Sequence, residues 1–445
     1  MILYQRTKVV LRGLKTTCFN YARPVKVPPA MSESHIPFFD PWFDSSPRGT
    51  QPRTKAGCKY TITIIPGVGI GREMIESALE VLECCGAPVI PEWIYDSESD
   101  NDVNFMQMSV NRNGVGIKGN IENRSTWQIV KEDTESRNFV FQEALDLYAH
   151  VTVLKSFPSL KKISKIHRDM DIVVIRSNTE GEFALLEHQV GPGIYEHLRV
   201  ISAYNTRRVS EFAFRKAESE GRKKVTVLHQ SNTMPLSEGA FVEEFLKVAR
   251  KFPKIEHEVM SIHQAARQIY EDLKPLDVIV SNSVYCTQLT DFLIGMIGGP
   301  RLVGGGSFSH RFAVFQPPIN SRSRGLVGKG EANPTAFLLC GAYALDHLGI
   351  KNMGQVIRDA IDCAFGCDVM TKDMGGKATT KEFVHQIVKH VQAVISQVSC
   401  KYDKPPKIHP KLPAEWAPEK SGLFLQPVKG KSQAKADDIK NCRKT

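Results

Sequence analysis

The chain has 445 residues, long enough for a large two-domain unit with sizeable apolar cores. With 42% hydrophobic and 24% charged residues, 32 Gly and 25 Pro, it is neither collagen-like nor wholly disordered. No run of about 20 apolar residues is present, so no integral membrane bundle is expected. The net charge of +10 raises a nucleic-acid reading, but its distribution argues against one.

Residues 1–32 carry Arg6, Lys8, Arg12, Lys15, Arg23 and Lys26 and no acid before Glu33. A basic, acid-free segment mixed with apolar and hydroxyl residues is the composition of a mitochondrial transit peptide, with a disordered basic arm as the alternative. Residues 33–57 form a proline-rich, charge-balanced linker containing Pro37, Pro41, Pro47 and Pro52. The stretch 58–400 is close to neutral. Residues 401–445 are basic again, and Pro405, Pro406, Pro410, Pro413, Pro418 and Pro427 break any helix there, so a flexible tail is expected.

In chain order, Lys59–Ile65 alternates and is β-rich, Pro66–Gly71 is a glycine-rich turn, and Glu73–Cys85 has helical apolar spacing. That is strand, turn and helix, the opening of an α/β layer. The turn Gly67-Val68-Gly69-Ile70-Gly71 has neither the dinucleotide spacing nor the Lys-Ser/Thr of a P-loop. Two readings stay open for it: a sharp structural turn, or a loop facing a cofactor. Further strands are predicted at Val115–Lys118, Asp171–Arg176, Val225–His229 and Asp277–Val280, and helices at Ser210–Glu220 and Glu238–Lys251. Gly221 reads as the glycine that stops the first of these helices. Lys161–His167, with three lysines, reads as a solvated linker. The 10 cysteines are scattered, and only Cys363 and Cys367 have close helical spacing, so a zinc-thiolate site is not expected.

Four segments in order resemble the beta-decarboxylating dehydrogenase family, which contains isocitrate and isopropylmalate dehydrogenases. They are Ile64–Gly71, with Val68 where the family carries an acid, Arg176–Phe183, Leu228–Met234 and Ala332–Ala336. Gly119–Glu122, Asp146–Ala149, Gly221–Thr226, Gly298–Pro300 and Asp373–Gly376 are most similar to the gamma, regulatory type of subunit of mitochondrial NAD-dependent isocitrate dehydrogenases. The resemblance implies a two-domain α/β fold: a discontinuous large domain (58–167 and 296–400) with an inserted small domain and clasp (168–295). It also implies a mitochondrial matrix protein paired with an alpha-type catalytic subunit in a hetero-oligomer, with NAD and Mg²⁺ used at the level of the holoenzyme.

The family's chemistry needs a divalent metal, arginines for carboxylates, and a Lys/Tyr pair that moves protons. By the resemblance, the lysine falls on Gln230 and the tyrosine on Phe183. The metal carboxylates fall on Thr287, Asp291 and His263, of which only Asp291 is an acid, and Mg²⁺ requires several hard oxygens. On the substrate or effector side Arg176 and Asn178 are kept, whereas a second arginine becomes Gln142. On the cofactor side Asn333 is kept, and Arg322 and Arg324 either meet a nucleotide phosphate or are simply solvated. Singly, Phe183, Arg176 and Asp291 also read as ordinary packing and surface residues. The expectation is a non-catalytic, gamma-like subunit that binds no cofactor catalytically. The alternatives are a pseudoenzyme outside that complex, and a dehydrogenase using unrecognised replacement groups.

Overall fold

A computed structural model describes residues 59–95, 100–122, 136–162, 169–273, 276–282, 284–319 and 322–402. The predicted presequence, the linker 33–57 and most of the basic tail lie outside the described residues.

Strand β1 (Tyr60–Ile65) is followed by helix α1 (Gly71–Cys84), which buries Met74, Ile75, Ala78, Val81 and Leu82 along one stripe. The expected start at Glu73 moves back to Gly71, because Ile70 already accepts the first helical N–H, from Met74 at 3.2 Å. The glycine-rich turn packs tightly on its surroundings. Gly67 has φ +64°, and a Cβ there would stand 2.2 Å from the Asn120 carbonyl oxygen. The chain continues through β2 (Val89–Trp93), α2 (Asp100–Asn113), β3 (Val115–Lys118), α3 (Arg137–Ala144), β4 (Ala149–Lys155) and β5 (Asp171–Ser177).

A two-stranded hairpin, β6 (Glu187–Gly191) and β7 (Ile194–His197), then stands apart from the main sheet. It is followed by α4 (Ala203–Glu220), β8 (Lys224–His229), α5 (Pro235–Ala249), β9 (Glu256–Ser261), α6 (Ile262–Glu271), β10 (Val278–Ser281) and α7 (Val284–Ile297). Helix α4 begins two turns before the predicted Ser210, because Ser202 caps it by accepting the Asn205 N–H at 3.1 Å. It stops as expected at Gly221, φ +69°. Pro235 moves the start of α5 forward from Glu238, since a first-turn proline needs no N–H partner. The described chain closes with β11 (Gly304–Phe308), β12 (Ala313–Phe315), α8 (Thr335–His347), α9 (Lys351–Gly366) and α10 (Thr380–Tyr402).

The main sheet has ten strands in the order β2-β1-β3-β12-β11-β4-β5-β10-β8-β9. It is parallel except where β4 pairs with β5 and β11, and β11 with β12. Strands such as β3, β5 and β10 are apolar along most of their length, as burial on both faces requires. Because β5, β10, β8 and β9 are mutually parallel, their carboxyl ends share one edge of the sheet.

Candidate functional site

That shared edge is where open α/β sheets bind ligands. Strand β5 ends at Arg176 and Ser177 and runs on to Asn178, β10 ends at Ser281 before Asn282, and β8 ends at His229 before Gln230. Strand β9 delivers His263 in the first turn of α6. Helix α7 follows β10 closely and places Thr287 and Asp291 one turn apart.

One contact set gathers around Arg176. Its Nη1 donates to Thr287 Oγ1 at 2.6 Å and its Nη2 to Asn178 Oδ1 at 3.0 Å. The guanidinium lies 4.3 Å from the centre of the Phe183 ring. Asn178 is buried and is itself held by its Nδ2, which donates to the Leu147 carbonyl at 3.2 Å. Burial pulls the Arg176 pKa below its ordinary value, against the opposing fields of Cys286 and Asp291. Burial pushes the Asp291 carboxyl up, and Arg176 pulls it down. Among the described residues no carboxylate lies within ion-pair distance of this guanidinium. Its buried Nε and the buried Thr179 Oγ1 find no hydrogen-bond partner among the described residues. A desolvated guanidinium held by neutral groups has the chemistry to pair with a carboxylate.

Gln142 is tied to this set only through its backbone. The Leu147 N–H donates to the Gln142 carbonyl, and the buried Gln142 Oε1 has no hydrogen-bond partner among the described residues.

The second set centres on Gln230. Its Nε2 lies 3.0 Å from His263 Nε2 and 3.2 Å from Thr233 Oγ1, and its backbone N–H donates to Glu238 Oε2 at 3.0 Å. The Gln230 amide can donate to an imidazole nitrogen but cannot ionise, so Gln230 itself is no base where the family has its lysine.

Between the two sets lies a buried ionic junction that the sequence reading did not foresee. Arg199 Nε is 2.8 Å from Glu182 Oε1, Arg199 Nη2 also pairs with Glu238, and it donates to Asn282 Oδ1 at 3.2 Å. Glu238 is 1% exposed. Glu182 Oε2, Asn282 Nδ2 and Gln230 Oε1 are buried without hydrogen-bond partners among the described residues, so unsatisfied polar atoms gather along this edge. Glu182 sits beside Phe183 at the end of the segment Arg176–Phe183. Its pairing with Arg199, 17 residues on, has no local signature.

The metal positions do not suit a divalent cation. Thr287 is already bound to a guanidinium, Asp291 is the single carboxylate beside it, and His263 belongs to the Gln230 set. Among the described residues no group of three or more His, Cys, Asp or Glu could hold a metal ion.

On the cofactor side, Asn333 is spent on local structure. Its Oδ1 accepts from Thr335 N at 3.0 Å and Oγ1 at 2.6 Å, and its Nδ2 donates to Asp373 at 3.3 Å. The Arg322 carbonyl accepts from Ile70 N at 3.1 Å, which docks its loop on the glycine turn, and Arg324 opens an exposed 3-10 turn.

The family model for isocitrate/isopropylmalate dehydrogenases matches residues 61–387. Among similar proteins, the gamma subunit of mitochondrial NAD isocitrate dehydrogenase from Macaca fascicularis is 35% identical over 353 residues, 79% of this chain and 98% of the relative. The human gamma subunit is 34% identical over 77% of this chain and 86% of the relative. Subunit 1 from Schizosaccharomyces pombe is 33% identical over 76% and 96%. The crystal structure of isocitrate dehydrogenase from Methylococcus capsulatus matches with a TM-score of 0.67 at 26% identity, covering 75% of this chain and 99% of that one.

Proposed function

Because the chain belongs to the isocitrate/isopropylmalate dehydrogenase family, we propose that it is a gamma-like, non-catalytic subunit of a mitochondrial NAD-dependent isocitrate dehydrogenase. An alpha-type partner in the matrix converts isocitrate and NAD to 2-oxoglutarate, CO₂ and NADH, and NAD and Mg²⁺ belong to that assembly. The carrying observation is Gln230, an amide that cannot take up a proton, held 3.0 Å from His263 at the position of the family's proton-transfer lysine. Phe183 supports the same reading, since its ring covers Arg176 and offers no hydroxyl.

What this chain keeps is recognition. Arg176, oriented by Asn178 and Thr287, holds one carboxylate of a polycarboxylate effector, and the Arg199 junction fixes the backbone behind it. The hairpin β6–β7 exposes Ile194 at 60% and Tyr195 at 68%, a fitting apolar surface for the expected clasp with the partner. In this reading residues 1–32 are a removed presequence, 33–57 a linker and 401–445 a basic tail. Residues 58–167 with 296–400 form the large domain, and 168–295 the small one.

The test is to purify the chain alone and co-expressed with an alpha-type subunit, then follow NADH with isocitrate and Mg²⁺. Co-purification, with activity only in the pair, is expected. Turnover by the lone chain would sink the non-catalytic assignment. Failure to co-purify would instead favour a pseudoenzyme outside the complex.

A further inference from the structure

Helix α3 and strand β4 are joined by a tight turn, and Asp146 in that turn has φ +47°. This is the left-handed region, which few side chains other than Asn and Asp enter. The turn closes on the end of α3. Asp146 N–H donates to the Glu143 carbonyl at 2.9 Å, Leu147 N–H to the Gln142 carbonyl at 3.0 Å, and Tyr148 N–H to the Asp146 carbonyl at 2.8 Å. The next two carbonyls both serve Asn178. That of Leu147 accepts Asn178 Nδ2 at 3.2 Å, and that of Tyr148 accepts Asn178 N–H at 2.9 Å. Asn178 Oδ1 in turn accepts Arg176 Nη2 at 3.0 Å. The left-handed residue therefore sets where Asn178 stands, and Asn178 sets the guanidinium.

A buried cation from another element grips this turn. Arg208, in α4, is 8% exposed, and its Nη2 pairs with Asp146 Oδ2 across 62 residues of sequence. The Asp146 side chain is itself 56% exposed, so burial of its own does not hold it in place. The guanidinium, by contrast, is fixed on several sides. It lies 4.0 Å from the centre of the Tyr148 ring and 5.1 Å from that of Tyr204, and its Nη1 donates to Asn205 Oδ1 at 2.9 Å. Asn205 is anchored in turn, since its Nδ2 donates to Glu180 Oε1 at 2.5 Å. A stacked, immobile guanidinium paired with an exposed carboxylate restrains the backbone that carries the carboxylate.

We propose that Arg208 is a positioning residue for Arg176. By keeping Asp146 in its left-handed turn it holds the Leu147 and Tyr148 carbonyls under Asn178, and so fixes the direction in which the Arg176 guanidinium faces a ligand. Its consequence for binding rests on the reading of Arg176 as the receptor of a carboxylate. Arg208 touches no ligand in this account and acts only through the turn.

The test places a single 4-fluorophenylalanine at position 183 of the full chain, where the ring centre lies 4.3 Å from the Arg176 guanidinium. Its fluorine resonance is read well below the thermal midpoint, and citrate binding is measured by titration calorimetry. Arg176→Gln gives the resonance with the guanidinium gone. Arg208→Met is expected to move the resonance towards that position and to weaken citrate binding about tenfold. Combining Arg208→Met with Asp146→Gly is expected to return both, because glycine takes the left-handed turn without an ion pair. A resonance that Arg208→Met leaves in place, or that Asp146→Gly fails to return, overturns the positioning role whatever happens to stability. If Arg208→Met does not fold, Asp146→Ala and Asp146→Gly decide. Both remove the exposed carboxylate, and only the alanine is expected to move the resonance; equal resonances overturn the proposal. Citrate affinity that ignores Arg176→Gln overturns the carboxylate receptor instead, and the fluorine resonance still decides the role of Arg208.

Discussion

Arg176 on β5 and Thr287 on α7 are joined by a 2.6 Å hydrogen bond, so the residue at a metal-carboxylate position of the family serves here as a neutral acceptor for a buried guanidinium. Thr287→Asp replaces that acceptor with a charged one. The expected result is a rise of about 1–2 kcal/mol in unfolding free energy, since hydrogen bonds to charged partners are the stronger kind. The new carboxylate should be consumed by Arg176. Mg²⁺ is therefore expected to leave the thermal midpoint of the variant unchanged, and a large Mg²⁺-dependent stabilisation would show that a metal site had been restored.

The same arrangement limits rescue of activity. The triple change Gln230→Lys, Phe183→Tyr and Thr287→Asp supplies a base, an acid and a carboxylate, but leaves Gln142 and His263 in place. NADH production by the lone triple variant is expected to stay near background. Robust turnover would mean that the edge of the sheet is already arranged for catalysis.

Among the described residues, Arg199 is the one cation paired with both Glu182 and the fully buried Glu238. Arg199→Met removes it and leaves the buried Glu238 and the partly buried Glu182 without their cation. A loss of about 3–5 kcal/mol in urea unfolding is expected, because breaking one side of a buried ion pair strands the other. Adding Glu238→Gln should recover part of that loss by removing one stranded charge. If the double variant is no more stable than Arg199→Met, the electrostatic account of the junction is wrong.

Much of the parallel half of the fold was legible in the sequence. Strands β3 and β8 lie within a residue of their expected limits, because a buried parallel strand reads as a short apolar run between turn signals. Strand β11 was not predicted, since Gly304-Gly305-Gly306 carries no strand pattern and only its packing against Tyr343 and Val151 explains it. In the site, Arg176, Asn178 and Phe183 of one sequence segment lie together, and Thr287 comes to them from a distant helix. Gln142 differs: only its backbone joins that set, through Leu147. The Arg199 junction stayed invisible, because pairing between side chains far apart in sequence leaves no periodic trace.

Gly69 tests how the glycine turn is used. Its φ is +72°, and a Cβ there would stand 1.9 Å from the Arg322 carbonyl oxygen. Gly69→Ala therefore combines backbone strain with a clash against backbone, for a cost of about 2–4 kcal/mol. Gly86→Ala is the control. It has a similar φ of +68° with nothing within 4 Å of the added methyl, so only the strain of about 1 kcal/mol is expected. Equal losses in the two variants would show that the docked 322 loop contributes nothing.

Lys118 supplies a prediction about pH. It is 1% exposed, and its Nζ donates to Asn138 Oδ1 at 2.7 Å and to the Gly119 carbonyl at 3.1 Å. Burial lowers its pKa from 10.5 to about 7. Between those two values the unfolded chain holds a proton that the folded chain has released, so this group makes stability rise with pH across that window. Below about 7 both states are protonated and the full desolvation cost is present, and above 10.5 the cost is gone. His150, whose pKa burial lowers from 6.5 to about 3, makes stability rise with pH only across that lower interval, below the Lys118 window. Lys118→Met removes the amine and leaves Asn138 Oδ1 without this donor, a penalty independent of pH. The thermal midpoint of Lys118→Met relative to the parent should therefore be highest at pH 6 and fall steadily towards pH 10. Parallel profiles for the two proteins would mean that the buried amine is not the titrating group.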